Sequence, residues 1–350
     1  MTGRCPYVIN FGRMPNQYIE RSLLIDDITD TLNSDIVEEQ AFKITGIRGT
    51  GKTVTLTAIE KQLEQEDNWI IVDIKPDSDI VNDLVANLYT NVPFVAKFID
   101  TNLNLSAFGI GINISGKSPA ASLDVALGIL LKEIKRRKKR VLVLIDEARK
   151  TPSLIDFIQE FQILIRKDYP IYLIVAGLYE DIESLENTDG LTFFYRAPKL
   201  EMTPLNIGII KEDYKETLGL SDDVAYDLAI MTKGYAFAYQ AFGKYMWTRK
   251  SKQITPIVLA EVDEALARKV YDKIWSELTP KDKWYMSFIA QKDTMSATEL
   301  LEITKKSHSD WSEPRKRLIE KGLIDGSVRG KITLKLPRLK EYIKNLSLYE

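Results

Sequence analysis

The 350-residue sequence contains one cysteine, Cys5, and one histidine, His308. A single cysteine cannot form an internal disulfide, and one histidine leaves no His/Cys cluster with metal-ligand spacing. This argues against zinc chemistry and against a Ser-His-Asp triad. The longest strongly apolar stretches, such as residues 141–145 and 169–179, are shorter than the roughly 20 residues that span a bilayer. The N-terminus lacks the apolar core of a secretory signal. We therefore expect a cytoplasmic protein without a membrane helix.

The charges of the chain nearly cancel, with Lys+Arg 48 against Asp+Glu 50 and a formal net charge of −2. This balance argues against a uniformly basic coat for nucleic acid. Hydrophobic residues make up 45% of the sequence, with Gly 18 and Pro 13. Such a composition predicts a globular protein, and the length predicts about two to three domains.

Residues 41–197 alternate between short apolar runs and longer segments with helical spacing of apolar residues. This alternation predicts an α/β layered sheet, and near-continuous apolar runs are typical of parallel strands covered on both faces. We predict strands at Ala41 to Gly46, Trp69 to Ile74, Val141 to Asp146, Ile171 to Gly177 and Phe193 to Leu200. We predict crossover helices at Gly51 to Glu66, Asp79 to Tyr89, Ser122 to Lys138 and Leu154 to Lys167.

Residues 102–115 interrupt the alternation, because apolar and polar residues alternate there around a glycine-containing centre. The segment is predicted to be a β-hairpin. It is either a lid over the edge of the sheet or an insertion that contacts DNA or a neighbouring subunit.

A run of six basic residues spans Lys135 to Arg140. It ends a predicted helix, where the helix dipole favours cations. We interpret it as a solvated helix end in preference to a nucleic-acid contact.

One segment matches the pattern GxxxxGK[ST] in full and lies between an apolar strand and an amphipathic helix. Its glycines allow successive backbone N–H groups to point into a phosphate-sized concavity at the positive end of a helix. Lys52 is expected to bridge the β and γ phosphates, and the Thr53 hydroxyl to bind Mg²⁺. A plain glycine turn is the alternative. The predicted nucleotide contacts are Gly46, Ile47, Arg48, Gly49, Thr50, Gly51, Lys52, Thr53 and Val54.

The second half of such a site is a strand that ends in carboxylates, and residues 141–147 supply it. Asp146 is expected to hold Mg²⁺ through its water shell, and Glu147 to act as the general base that polarises the attacking water. Ordinary capping of a helix N-terminus is the other explanation for this pair.

The motifs GTGKT and VLVLIDE together resemble those of AAA+ ATPases, and further segments are similar to bacterial relatives of the origin-recognition or initiator type that end in a winged helix. This resemblance implies a P-loop NTPase parallel sheet with a helical lid domain and a C-terminal winged helix-turn-helix, and ATP and Mg²⁺ as cofactors. The implied domains are residues 1–199, 200–277 and 278–350. The segment FGRMPNQYIERSLLIDDI resembles the family's leader, so the implied adenine pocket comprises Pro15, Tyr18, Ile19 and Arg21.

The resemblance also implies an arginine finger, because FFYRAPKLEMTPL is similar to the segment that carries one and Arg196 is the match. Arg196 would act from a neighbouring subunit, or else only pair with a surface carboxylate. Two segments depart from the family pattern. Residues 175–178 and 234–237 lack the polar and arginine side chains that sense the γ-phosphate, so we expect hydrolysis to be slow or to depend on Arg196 in trans.

Residues 280–344 resemble a winged helix-turn-helix. The implied contacts to DNA are Ser312, Arg315 and Lys316 in a major groove, with Arg329 and Lys331 on a wing near phosphates. Pro314 predicts that the recognition helix begins near Ser312 and is short. His308 is interpreted as a surface residue. Residues 270–350 carry 16 basic and 12 acidic side chains, a modest positive excess that is compatible with DNA binding.

These features predict an ATPase that binds and hydrolyses ATP-Mg²⁺ to control its assembly or its binding to double-stranded DNA. The alternative is a nucleotide-gated scaffold or switch with little turnover, whose winged helix docks a partner protein. Self-association or a partner that completes the site in trans is expected in either case.

Overall fold

The computed structural model describes residues 3–10, 14–102, 123–326, 328 and 330–346. The chain divides into two compact units, which we call the sheet unit and the helical unit. The sheet unit comprises Ser22–Thr45 and Lys52–Glu201. The helical unit comprises Met1–Arg21, Gly46–Gly51 and Met202–Glu350. Gly46–Gly51, which we call the glycine loop, is thus grouped with the helical unit, although in sequence it lies between two segments of the sheet unit.

Five parallel strands in the order β2-β3-β4-β1-β5 form the centre of the sheet unit. Val141 to Ile145 in the central part of β3 have no exposed surface, as expected for a parallel strand covered by helices on both faces. The predicted α/β sheet is confirmed. The strands are β1 (Ala41–Thr45), β2 (Trp69–Asp73), β3 (Arg140–Ala148), β4 (Ile171–Gly177) and β5 (Lys199–Glu201).

The helices of the sheet unit begin and end at local signals. Asp79 caps α3 by accepting from the N–H of Asn82, and Thr151 caps α6 in the same way ahead of Pro152 at the first helical position. All but the first residue of the predicted 102–115 hairpin lies outside the described residues. The helices are α1 (Ser22–Asn33), α2 (Lys52–Leu63), α3 (Ile80–Asn91), α4 (Pro93–Asn102), α5 (Leu123–Arg136), α6 (Pro152–Arg166), α7 (Tyr179–Glu186) and α8 (Thr192–Arg196).

The strand predicted over residues 193–200 is wrong in its first half, where the chain forms the short helix α8. Pro198 sets the end of this helix, because a residue before proline avoids the helical region. Ala197 accordingly has φ −57° and ψ 140°. The helix therefore ends at Arg196, and only Lys199–Glu201 remain to pair with β1.

The largest segment of the helical unit, Met202–Glu350, follows the sheet unit in sequence. The described part of this segment contains nine α-helices and three short strands. A π-helical turn, Ala267–Tyr271, joins α12 to α13. The elements are α9 (Ile207–Leu218), α10 (Asp222–Met231), α11 (Ala236–Arg249), α12 (Pro256–Leu266), α13 (Asp272–Ser276), α14 (Pro280–Ile289), β6 (Met295–Ser296), α15 (Ala297–Thr304), α16 (His308–Glu320), β7 (Ile324–Asp325), β8 (Lys331–Leu334) and α17 (Leu339–Leu346).

The N-terminal segment is fastened to these helices through one carboxylate. Asp213 on α9 accepts hydrogen bonds from the hydroxyls of Tyr7, at 2.7 Å, and Tyr239, at 2.8 Å. Gln240 on α11 adds two bonds to the segment, accepting from the N–H of Val8 and donating to the carbonyl of Gln17. These bonds satisfy several polar groups of a partly buried segment.

The prediction that the helix containing Pro314 begins near Ser312 is wrong, because α16 begins four residues earlier. Ser307 and Asp310 form a capping box there, each side chain accepting from the other's backbone N–H. Pro314 therefore lies inside the helix, on the same buried face as Trp311. Burial of this face offsets the roughly 3 kcal/mol that an interior proline costs.

None of the helices in the described part of the chain combines the length and the hydropathy needed to cross a bilayer.

Candidate functional site

The loop after β1 contains two glycines with left-handed backbone. The φ angle is 78° at Gly49 and 96° at Gly51, in a region that residues with a Cβ atom rarely occupy. A Cβ atom at Gly49 would also collide with the hydroxyl of Tyr235. The conformation of this loop therefore requires the glycines of the motif.

The carbonyl groups of the loop accept hydrogen bonds from the segment that precedes α11. The Tyr235 hydroxyl donates to the carbonyl of Arg48, and the N–H of Phe237 donates to the carbonyl of Gly49 over 3.0 Å. Burial raises the pKa of Tyr235, so its hydroxyl remains a donor at neutral pH. The segment in which the sequence lacks a sensor arginine thus holds the loop through neutral hydrogen bonds.

Arg21 reaches the same loop from the N-terminal segment. Its guanidinium donates to the carbonyls of Thr50 and Thr203, both over 3.0 Å. Burial lowers the pKa of Arg21 to about 10, so the side chain stays charged at neutral pH. Of the other residues in the implied adenine pocket, Pro15 is buried and Tyr18 is half-buried, as is Ile19. Arg21 therefore links the N-terminal segment, in which the adenine pocket was predicted, to the glycine loop.

In the sheet unit, the hydroxyl of Thr53 donates to Oδ2 of Asp146 over 2.5 Å. Thr53 lies in the first turn of α2, directly after Lys52, and Asp146 lies near the carboxyl end of β3. The predicted metal ligands, 93 residues apart in the sequence, are thus brought into direct contact. A hydroxyl and a carboxylate side by side are oxygen donors of the kind that Mg²⁺ prefers.

The end of β3 is irregular at the predicted general base. The pairing of β3 with β4 shifts register between Ile145 and Ala148, and Glu147 in this bulge has a φ of 52°. The N–H of Glu147 donates to Oδ1 of Asp146 over 2.8 Å, and the Glu147 side chain is exposed. A non-glycine residue in left-handed conformation is strained, and such strain is concentrated at functional sites. The bulge turns the Glu147 side chain to solvent beside Asp146.

A third carboxylate near this position is absent from the sequence predictions. Asp73 ends β2, the strand beside β3. Partial desolvation and then the neighbouring carboxylates of Asp146 and Glu64 raise its pKa. A signal existed in the sequence, because the apolar run of β2 ends in an aspartate just as that of β3 does.

Arg196 is the last residue of α8, and its side chain is exposed. No hydrogen bond or ion pair engages this side chain within the ranges that the structure describes. The alternative in which Arg196 merely pairs with a surface carboxylate therefore gains no support.

The predicted contacts to DNA are only partly described. Ser312, Arg315 and Lys316 are exposed on α16, and Lys331 is exposed at the start of β8. Arg315 donates to the carbonyl of Gly326 over 3.2 Å, and Lys316 forms an ion pair of 3.6 Å on its own helix. Arg329 lies outside the described residues.

The parallel sheet, the glycine loop and the Thr53–Asp146 contact define a P-loop NTPase fold of the AAA+ class. The comparison with families agrees, since residues 36–185 match the family model described as an AAA domain. The region that contains the parallel sheet therefore has the AAA+ fold. Residues 268–343 match a second model, described as a domain of unknown function (DUF8462).

A solved structure with a TM-score above 0.5 supports this fold, and a second similar structure falls just below that value. The ORC2 protein of Aeropyrum pernix, solved in ADPNP-ADP complexes, is 14% identical with a TM-score of 0.57, and the match covers 97% of each chain. Cdc6p from Pyrobaculum aerophilum is 15% identical with a TM-score of 0.49, over 97% of this chain and 96% of that one. No curated protein matches the sequence significantly.

Proposed function

We propose that this protein binds ATP and Mg²⁺ and hydrolyses ATP. The contact between Thr53 and Asp146, with the strained Glu147 beside it, is the observation that carries the proposal. The similar ORC2 structure contains ADPNP and ADP, which supports a nucleotide at the same kind of fold. Lys52 would offset the charge of the β and γ phosphates, and the loop amides would donate to them.

Thr53 and Asp146 are the residues that would hold Mg²⁺. When bound, the ion would neutralise charge on the phosphates. Glu147 would accept the proton of the attacking water, because its side chain is exposed at the bulge of β3. Its backbone N–H is fixed by the hydrogen bond to Asp146. Asp73 ends the strand beside β3, and the charge of Asp146 contributes to its raised pKa, so this carboxylate would add to the negative charge around Asp146.

Arg196 would act on the nucleotide of a neighbouring subunit. Strands β3 and β5 are separated by β4 and β1, which amounts to about 14 Å of sheet width. Arg196 also precedes β5, whereas Asp146 lies near the carboxyl end of β3, and these are opposite ends of a parallel sheet. One arginine side chain is too short to bridge this distance, so the geometry favours a finger supplied in trans.

We further propose that the last part of the helical unit is a winged helix-turn-helix that binds double-stranded DNA. Its order of helix, strand, two helices and two strands, with β8 between β6 and β7, is that expected of such a module. Exposed Ser312, Arg315 and Lys316 would face a major groove, and Arg329 and Lys331 would approach phosphates. DNA affinity should then fall steeply with salt, and Arg315→Ala and Lys316→Ala should weaken it. A flat salt dependence would favour docking of a protein.

Turnover measured against protein concentration, with and without duplex DNA, tests the whole proposal. We expect turnover to rise with concentration, because Arg196 completes the site of another copy, and to respond to DNA. The Glu147→Gln variant should bind ATP and lose turnover.

The apolar residues 175–177, in place of a polar sensor, favour the alternative of a nucleotide-gated switch. Negligible turnover at every concentration, with ATP bound, would support that switch.

A further inference from the structure

A lysine occupies the centre of the sheet. Lys43 is the middle residue of β1 and has no exposed surface. Its neighbours in the adjacent strands are Val175 and Lys199. An apolar residue would be expected here, because a buried ion pair is often less stabilising than well-packed hydrophobic side chains of similar volume.

The ammonium group of Lys43 uses all three of its donors. It donates to Oε1 of Glu186 over 2.7 Å, to the carbonyl of Phe194 over 2.8 Å and to the carbonyl of Tyr195 over 3.0 Å. Glu186 is itself buried, and its second oxygen accepts from Lys199 over 2.8 Å. Burial lowers the pKa of Lys43, and the bond to Glu186 opposes that shift.

Two of these bonds hold the helix that carries the proposed finger. Phe194 and Tyr195 are in the last turn of α8, where carbonyl groups lack the partner that a longer helix would supply. The carbonyl of Phe194 also accepts from the N–H of Ala197 over 3.2 Å. The carbonyl of Tyr195 belongs to the peptide group that contains the N–H of Arg196. Lys43 therefore fixes the backbone at Arg196 from inside the sheet, while the Arg196 side chain remains exposed.

We propose that Lys43 is a positioning residue that aims Arg196 at the nucleotide of a second copy of this chain. The inference rests on the proposed ATPase with a finger in trans. β1 runs from Lys43 directly into the glycine loop, so one strand supports both the subunit's own phosphate site and the finger that it gives to its neighbour. A finger in trans is worth 10³ to 10⁵ in turnover, and a 1 Å displacement of a positioned group costs about a hundredfold.

Mixing two inactive variants isolates the finger. The acceptor, Arg196→Ala, keeps Glu147 but offers no finger, and the donor, Glu147→Gln, offers a finger but cannot turn over. An equal mixture should recover turnover. Lys43→Met is then placed in either the donor or the acceptor. Lys199→Met in the donor is the matched control, since Lys199 binds Glu186 and is not bonded to the two α8 carbonyls.

We expect Lys43→Met in the donor to lower the kcat of the mixture at least tenfold with KM for ATP unchanged, and in the acceptor to have little effect. The control should retain turnover. Equal turnover with the modified and unmodified donors would overturn the role of Lys43 and leave the ATPase intact. Equal losses in donor and acceptor would show that Lys43 is merely structural. Absence of recovery with the unmodified donor would overturn the finger in trans itself.

Thermal unfolding of each variant shows whether it is folded. If Lys43→Met unfolds the donor, Glu186→Gln replaces it, because this change preserves the shape of the side chain and weakens the hold on Lys43. The expected loss is then smaller, about threefold in the donor by the weakening of one charged hydrogen bond. An unchanged kcat in this mixture would also count against the proposal.

Discussion

The guanidinium of Arg48 lies 3.0 Å from the carboxylate of Glu277. Arg48 belongs to the glycine loop, and Glu277 follows α13, near the start of the region that matches the domain of unknown function. Both side chains remain about one third exposed, at 33% and 28%. The ion pair therefore links the loop that would bind phosphates to the part of the chain that would bind a partner. It also engages the Arg48 guanidinium, which could otherwise interact with a bound nucleotide.

Replacing Glu277 with glutamine should tighten ATP binding. The change removes a negative charge near the phosphate loop and releases Arg48, and an exposed pair of this kind is worth up to about 1 kcal/mol. We expect a twofold to fivefold lower Kd for ATP at low salt, with a smaller effect at high salt. Glu264→Gln, which breaks the exposed pair with Arg268, is the control. Weaker ATP binding by Glu277→Gln would contradict this electrostatic explanation.

Lys52→Ala should weaken ATP binding by about tenfold to a hundredfold, because a charged hydrogen bond to a phosphate is worth roughly 1.5 to 3 kcal/mol. Equilibrium titration with a fluorescent ATP analogue measures the change. Lys61→Ala, at an exposed position of the same helix, should bind as the unmodified protein does. Undiminished affinity in Lys52→Ala would reject the assignment of the phosphate loop.

Glu147→Asn should lose turnover and gain stability. The substitution removes the general base, which is worth about 10² to 10⁴ in rate. Asparagine tolerates the left-handed conformation that Glu147 adopts at a φ of 52°, so the free energy of unfolding should rise by up to about 1 kcal/mol. Glu183→Asn, exposed on α7, should give no such gain. Retained turnover, or a clear loss of stability, would argue against a strained catalytic residue.

Arg317→Met should destabilise the C-terminal part of the helical unit by about 3 kcal/mol at neutral pH. Asp282 has no exposed surface, and Arg317 donates to both of its carboxylate oxygens, at 3.1 and 2.7 Å. Removing the cation leaves a buried charge without its partner. Lys316→Met, at an exposed pair on the same helix, should change stability little.

The same ion pair predicts a dependence on pH. Burial raises the pKa of Asp282, but hydrogen bonds from Arg317 and Thr279 outweigh that effect and the net shift is downward. A lowered pKa in the folded state contributes stability above the unfolded value of about 3.9, and that stability is lost as the pH falls through the folded value. The difference in thermal midpoint between the unmodified protein and Arg317→Met should therefore narrow below about pH 4. A gap that widened on acidification would contradict this assignment.

Local sequence signals predicted the elements that depend on neighbouring residues. The apolar runs gave the strands, because parallel strands buried on both faces need them. The errors also have local causes. Pro198 ended a helix where a strand was expected, and burial allowed Pro314 to remain inside α16.

The contacts that organise the site were not predictable in this way. Arg21 meets Thr50 and Thr203, and the second of these is 182 positions away. The role of Lys43 depends on Glu186 and on carbonyls more than 140 positions along the chain. A sequence pattern reports the chemistry of a residue, whereas its partner across the fold depends on packing. The motif residues Thr53 and Asp146 were predicted because their chemistry alone requires proximity.

The grouping of Gly46–Gly51 with Arg21 and the residues after Met202 bears on how the protein can be divided experimentally. A fragment that ends at Glu201 would contain every residue of both nucleotide motifs and the complete five-stranded sheet. It would lack Thr203, Tyr235 and Phe237, whose backbone and side chains hold the glycine loop in place. A fragment that keeps these contacts must therefore extend beyond Phe237, and exchanging the sheet unit between related proteins requires that the segments bonded to the glycine loop be exchanged with it.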